Sequence, residues 1–345
     1  MSQQLRPAPD NTAAGDQVEV DGTGYRVESD AIGKVLVRAD RLWGAQTQRS
    51  LVNFTVGTER MPTELHRAYG LVKQAAARAN RSLGTLDPTL ADLVERAAAE
   101  VAAGALDEHL ALSVWQTGSG TQTNMNVNEV VSNRAIQLVD GVLGSKSPVH
   151  PNDHVNRSQS SNDTFPTAMH VAVLLAVRSR LVAEVEELTK DLRSRAEQWA
   201  DVVKLGRTHL QDATPVTVGQ EWGAWATLLS DATDDLDQAV AGLRLLAIGG
   251  TAVGTGLNSP AGFGDAVAEQ LSELTGESFR TAPDPFAALS SSAPMLRVSS
   301  SLRGLATALE KVAEDLRWLG SGPRAGLHEI SLPENEPGSS IMPGK

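Results

Sequence analysis

"VSSSLRGLATALEKVAEDLRWL", residues 298–319, is the stretch on which the fold class turns. Val298, Leu302, Leu305, Leu309, Val312, Leu316 and Leu319 step by four and three in strict alternation. Such spacing lines one face of an α-helix and is the seam that helix bundles share. It predicts a long helix over about 292–320. Two more are expected upstream, over about 164–202 and 215–247. The first keeps a similar stripe through Leu181, Val185, Leu188, Leu192, Ala196, Trp199 and Val203. The opening of that helix, "AMHVAVLLAV" at 168–177, is apolar on nearly every face. A helix apolar all round is buried all round. Three helices cannot enclose one another so fully, so partner helices from other subunits are expected.

The composition agrees with a helical core. The chain has 345 residues, length enough for two or three domains. Aromatics make up only 4%, so Ala, Leu and Val must fill the interior, which suits close helix packing. With no cysteine, disulfides, thiolate catalysis and Cys-based metal sites are excluded, and the cytoplasm is the expected compartment. The polar start "MSQQLRPAPDNTAAGDQ" has no apolar h-region of a signal peptide. No run approaches the ~18 apolar residues of a membrane helix. A net charge of −12 argues against a nucleic-acid partner, though not against a small anionic substrate at a locally positive site.

The expected organisation is a disordered tail over 1–17, a smaller α-rich N-terminal domain over 18–155, and a helical-bundle domain over 156–345. Within 18–60 the pattern gives short β-branched stretches such as "GKVLVRAD". Residues 62–112 read as two or three short helices.

Between the long helices lie segments rich in Gly, Ser, Thr, Asn and His: "QTGSGTQTNMNVNE" (116–129), "HPNDHVNRSQSSND" (150–163), "GRTHLQDATP" (206–215), "GGTAVGTG" (249–256) and "PENEPGSSIMPGK" (333–345). Ordinary helix connections are shorter and chemically plainer, and function concentrates in such loops. Neither Gly-rich segment is a nucleotide loop. "GSSIMPGK" has five residues between its glycines and no following Ser or Thr, and "GGTAVGTG" follows a helix.

Each remaining segment admits two readings. "HPNDH" is a polar turn or a small anion-binding turn; two histidines four apart could also ligate a metal, but Pro151 favours a turn. His209 is structural, or it moves protons, with Thr208, Gln211 and Asp212 placed to fix its tautomer. "TGSGTQTN" (117–124) and "SQSSND" (158–163) cap helices, or their spare hydroxyls, amides and helix-start N–H groups bind an anion. Ser339 and Ser340 lie on a mobile surface loop, or on one that activates a serine beside a lysine. If Ser160, Ser161 and His209 serve one site, a helix of about 50 Å separates them in one chain. They then meet only in an oligomer with shared sites.

Together these segments resemble the fumarase/aspartase superfamily, and within it class II fumarate hydratases. "GSSIMPGK" is similar to the superfamily signature loop. The other four segments, and "SGPRAGLHEISLPENEPGSS" (321–340), occur in family order. The resemblance runs from about residue 25 to Lys345. It implies a mainly α long-helix bundle that assembles as a homotetramer, and reversible anti-elimination of water from (S)-malate to fumarate. No metal, nucleotide or flavin cofactor is implied.

By resemblance Ser339 is the base for the C3 proton, and His209 orients water and assists proton transfer. Ser119, Gly120, Thr121, Ser160, Ser161, Asn162, Thr208, Ser340 and Lys345 match substrate-binding positions. His150, Pro151, Asn152 and Asp153 match a second dicarboxylate site. "RTHLQD" points to water as the leaving group rather than ammonia, with aspartate ammonia-lyase as the alternative. A non-catalytic helical bundle is the reading from another class. The family pattern continues past Lys345 with an Asn, a glutamate that pairs with the histidine, two more bundle helices and a C-terminal domain. These fall outside this sequence, so activity of residues 1–345 alone is not expected.

Overall fold

The computed structural model describes residues 8, 12–20 and 22–343. The chain forms two compact units, 1–177 with 242–295, and 178–241 with 296–345. The boundary expected at 155/156 is therefore not where the contacts divide. The start of the bundle segment and the stretch 242–295 belong with the N-terminal residues.

The first unit opens with an antiparallel sheet of β1 (Gln17–Val20), β2 (Thr23–Ser29) and β3 (Lys34–Arg38), in that order. Val27, Val35, Leu36 and Val37 are buried in it. The Gly15 N–H donates to the Val27 carbonyl at 2.8 Å, and the Val27 N–H to the Asp16 carbonyl at 2.9 Å. Residues 15–17 are thus ordered against β2, which shortens the expected tail. Its residues 1–7 and 9–11 lie outside the described residues.

Five helices follow: α1 (Ala45–Asn53), α2 (Thr63–Ser82), α3 (Pro88–Ala102), α4 (Thr121–Gln137) and α5 (Ser161–Ala176). Their starts show why they form where they do. Asp87 caps α3 by accepting from the Thr89 N–H at 2.8 Å, with Pro88 preset at the first helical position. Helix α5 begins with a capping box between Ser160 and Asp163. Helix α1 has no cap of its own. The Glu129 carboxylate of α4 accepts from the Gly44, Gln46 and Thr47 N–H groups at 2.8–3.1 Å instead.

The chain enters the second unit within a π turn, Val177–Leu181, and continues as α6 (Val182–Gln198). The expected helix to 202 ends at 198 because Val203–Thr208 (β4) pairs with Gln211–Thr217 (β5) as an antiparallel hairpin. Then comes α7 (Val218–Val240), started by a capping box between Thr217 and Gln220.

Back in the first unit, Leu245–Leu246 (β6) pairs in parallel with Arg280–Thr281 (β7). Between them lies α8 (Phe263–Thr275), and after them α9 (Pro285–Ser290). Helix α10 (Ala293–Leu319) begins at the end of the first unit and from Leu296 belongs to the second, which closes with a hairpin of β8 (Gly338–Ser339) and β9 (Met342–Pro343).

Helix α2 centres the first unit, packing on α3, α5 and α8. In α5, all of residues 168–176 are buried or half-buried within the single chain, covered by α2, α4, α9 and β6. The all-round apolar helix therefore does not require other subunits, contrary to expectation. Both units leave apolar side chains exposed, the second along its long helices. Of the α10 seam, Val298, Leu305, Val312 and Leu319 are buried, while Leu302, Leu309 and Leu316 are half-buried. Leu188, Leu228, Leu296 and Trp318 are exposed.

Candidate functional site

Two helix N-termini converge in the first unit. Gly120 precedes α4 with φ +72°, a left-handed conformation that costs glycine nothing. A Cβ there would stand 2.2 Å from Phe165 ring carbons of α5, so the close approach itself demands glycine. Ser119 Oγ lies 3.0 Å from Thr121 Oγ1 and 3.1 Å from Thr117 Oγ1. At the start of α5, Ser160 Oγ accepts from the Asn162 N–H at 3.2 Å. Asn162 Nδ2 donates to the Ala252 carbonyl at 2.7 Å, tying the "GGTAVGTG" loop to this corner. Asn124 Nδ2 donates to Ser161 Oγ at 2.9 Å, joining α4 to α5 directly. The starts of α4 and α5, which carry Ser119, Thr121, Ser160, Ser161 and Asn162, thus meet. Ser119 and Asn162 are exposed.

Beneath this surface lies a buried pair. Asp163 accepts from the N–H groups of Ser160 (2.9 Å), Gly249 (3.1 Å) and Thr251 (2.9 Å). Burial pushes its carboxyl up to about 6 despite those donors and the nearby Lys73 charge. Burial pushes Lys73 down to about 7, with Asp163 opposing. Both side chains lie within the hydrogen-bonded base of the α5 start.

In the second unit, His209 and Leu210 form the two-residue tip of the β4–β5 hairpin, at φ 52° and 59°. Two successive left-handed residues make a tight hairpin turn, a conformation that favours Asn and Gly and strains Leu. His209 is therefore on a hairpin tip rather than in an irregular loop, and it is exposed. Among the described residues its ring makes no hydrogen bond to Thr208, Gln211 or Asp212, so the expected fixing of its tautomer is absent. What is fixed is the strand below it. Glu329 binds Lys204 at 2.8 Å and Arg207 at 2.5 Å, and Glu221 of α7 binds Lys204 at 2.6 Å.

Ser339 pairs with Met342 across the β8–β9 hairpin, and Ser340 lies in its turn, both exposed. Lys345 lies outside the described residues. The remaining expected site, 150–153, is a π turn over Pro151–Val155. His150 caps it, its Nδ1 accepting from the Asn152 and Asp153 N–H groups at 3.2 Å each. His154 Nδ1 accepts from the His150 N–H at 2.9 Å. Both histidines accept from the turn backbone through Nδ1. A cavity of about 260 Å³ lies alongside, lined by His150, Asn152, Lys146, Glu28 and Glu129 among others.

Lys73 escapes a reading of the sequence, and so do the buried roles of Asn124, Asn156, Asp163 and Glu329, although these four lie in the polar segments already singled out. A lysine inside the apolar run "AYGLVKQAAARAN" (68–80) is the one signal that could have pointed here. A lysine on a core face must find buried partners.

Two helix starts rich in hydroxyls and N–H donors, meeting in one corner of a mainly helical unit, suit the holding of a small anion. A lyase family model matches residues 33–345, and the chain belongs to that family, the fumarase/aspartase superfamily. The class II fumarate hydratase of Methanosarcina acetivorans is 60% identical over 323 residues, covering 94% of this chain and 67% of the relative. That of Thermus thermophilus is 56% identical over 93% of this chain and 69% of the relative. The crystal structure of class II fumarase from Schistosoma mansoni superposes with a TM-score of 0.90 at 43% identity, covering 93% of this chain and 71% of that one.

Proposed function

We propose that this protein hydrates fumarate to (S)-malate and reverses the reaction. The observation that carries the reading is the junction of α4 and α5, where hydroxyls and N–H groups from two helix starts face one corner. Helix N-termini with spare donors suit a carboxylate, and fumarate has one at each end. Identity of 55–60% to class II fumarate hydratases supports the same reaction.

In the dehydration direction Ser339, as the oxyanion, takes the C3 proton of malate and becomes a neutral hydroxyl. The electron pair left on carbon spreads into the adjacent carboxylate as an aci-carboxylate. Hydroxide then leaves C2 on the opposite face, taking a proton through His209, and fumarate remains. The C–H is a very weak acid, so donors around the developing dianion must supply most of the rate. Ser119, Thr121, Ser160, Ser161, Asn162, Thr208, Ser340 and Lys345 supply them, with Gly120 allowing the helices to approach. His150, Pro151, Asn152 and Asp153 form a second dicarboxylate site. The assembly is a homotetramer with sites shared between subunits, for which the exposed apolar side chains of α6, α7 and α10 provide surface. No helix among the described residues is long and apolar enough to cross a membrane. A cysteine-free chain suits the cytoplasm.

The test follows fumarate by its ultraviolet absorbance with a metal chelator present. Loss of the signal with malate as product is expected. A requirement for ammonia, with aspartate as product, would replace this reading with an aspartate ammonia-lyase.

A further inference from the structure

Helix α2 carries Lys73 and Asn80, seven residues apart on one face and both buried. Together they grip the segment leading into α5. Asn80 Nδ2 donates to the Arg157 carbonyl at 3.0 Å, and Asn80 Oδ1 accepts from Ser158 Oγ at 2.8 Å. Lys73 Nζ donates to Asn156 Oδ1 at 3.1 Å and to Gln159 Oε1 at 2.9 Å. An ammonium has donors only, so both amides must turn their oxygens toward it. Their nitrogens then face the other way, Asn156 Nδ2 to the Gln159 carbonyl and Gln159 Nε2 to the Val155 and Arg157 carbonyls.

The orientation propagates. Asn156 Oδ1, fixed as an acceptor, also receives Asn124 Nδ2 at 3.2 Å. The second hydrogen of that same nitrogen goes to Ser161 Oγ. The consequence for Asn124 is unfavourable, since its Oδ1 is buried without a hydrogen-bond partner among the described residues. Its orientation is set by the two bonds its Nδ2 makes, to Asn156 Oδ1 and Ser161 Oγ. Flipping Asn124 would set two amide oxygens against each other. With a lone pair of Ser161 Oγ occupied by Asn124, the hydroxyl hydrogen is left to point elsewhere, as a donor.

We propose that Lys73 is a positioning residue for the reaction, acting through Asn156 and Asn124 to hold Ser161 as a hydrogen-bond donor to a substrate carboxylate. The inference rests on the reading of Ser161 as a substrate-binding group. Without Lys73, Asn156 is free to flip, Asn124 follows, and its oxygen captures the Ser161 proton that the carboxylate needs.

The experiment is a double-mutant cycle of Lys73→Met and Ser161→Ala in the full chain. It reads KM for fumarate, kcat, and the dissociation constant of the unreactive dicarboxylate succinate by calorimetry. A hydrogen bond to a charged group is worth about tenfold or more in affinity. Lys73→Met is therefore expected to raise KM and the succinate constant about tenfold. On the Ser161→Ala background it should add less than about twofold, because the relay then has nothing to orient. Should Lys73→Met fail to fold, Asn124→Ala replaces it in the same cycle, testing the last link. A full tenfold loss on the Ser161→Ala background would reduce Lys73 to packing and overturn the proposal, as would unchanged binding in the single variant. If Ser161→Ala itself binds succinate normally, the assignment of Ser161 fails first and the proposal falls with it.

Discussion

Replacing Glu329 with glutamine should detach the hairpin that carries Thr208 and His209 while leaving its shape. Glu329 bridges Lys204 and Arg207 at 2.8 and 2.5 Å, and the three side chains are only 10–21% exposed. At such distances and an effective dielectric near 20, each contact is worth on the order of 6 kcal/mol before desolvation. Desolvation cancels most of this, and Lys204 keeps Glu221 at 2.6 Å. Removing one partner of a partly buried pair then leaves a net loss of about 2 kcal/mol. The larger effect should be on turnover. A misplacement of about 1 Å costs on the order of 100-fold, and His209 sits two residues beyond Arg207 on the same strand and turn.

The pH dependence gives an independent check. Burial pushes the Glu329 carboxyl up, but hydrogen bonds and charges from Lys204 and Arg207 outweigh it, so its value lies below the ordinary 4.5. A depressed carboxyl stabilises the fold above its unfolded value and loses that contribution as pH falls through the folded one. The wild-type protein should thus lose stability below pH 4.5 more steeply than Glu329→Gln. Denaturant titrations at neutral pH and below pH 4.5, with fumarate hydration at neutral pH, make the assay. A variant within about 0.5 kcal/mol of wild type at neutral pH, with unchanged kcat/KM, would refute the anchoring argument.

Gly120→Ala should destabilise by about 2 kcal/mol or more and weaken succinate binding, since its Cβ meets the Phe165 ring at 2.2 Å in a left-handed backbone; thermal melts and calorimetry read both. The turn at 150–155 should loosen as pH falls below 6.5. Burial lowers the His150 value, against the pull of exposed Asp153, and protonation of Nδ1 breaks its two bonds from backbone N–H groups. Since the unfolded histidine takes up its proton first, stability is lost as pH drops from 6.5, and amide exchange at Asn152 and Asp153 should speed up. Ser339→Ala should nearly abolish hydration and leave the oligomer unchanged by light scattering, with His209→Asn reducing turnover less completely.

Much of the fold was legible because it repeats. The helix expected over about 292–320 from the Val298–Leu319 seam matches α10 to within a residue at either end, since a helix shows its buried face every three or four positions. The polar segments were equally legible: a short stretch of Ser, Thr and Asn before an apolar run needs no tertiary context to be read as a helix start. Helix ends were harder. Trp199 and Val203 continue the apolar stripe of α6, yet Val203 opens β4, because pairing with Thr217 supplies its backbone bonds. Val203 is itself exposed, so here the apolar period ran on past the helix with no buried face behind it.

By itself, then, the sequence determined the mainly helical class, the capping segment that starts α5, and which loops carry polar chemistry. These depend on neighbours within a few residues. The tertiary structure alone decided that α5 is covered by its own chain, that His209 rides a strained tip anchored by Glu329, and that Lys73 reaches Asn156 and Gln159 from 83 and 86 residues away. A lysine in an apolar helix gives no hint of its partners. Only packing α2 against the start of α5 supplies them, and the cost of burying an unpaired ammonium makes that packing specific.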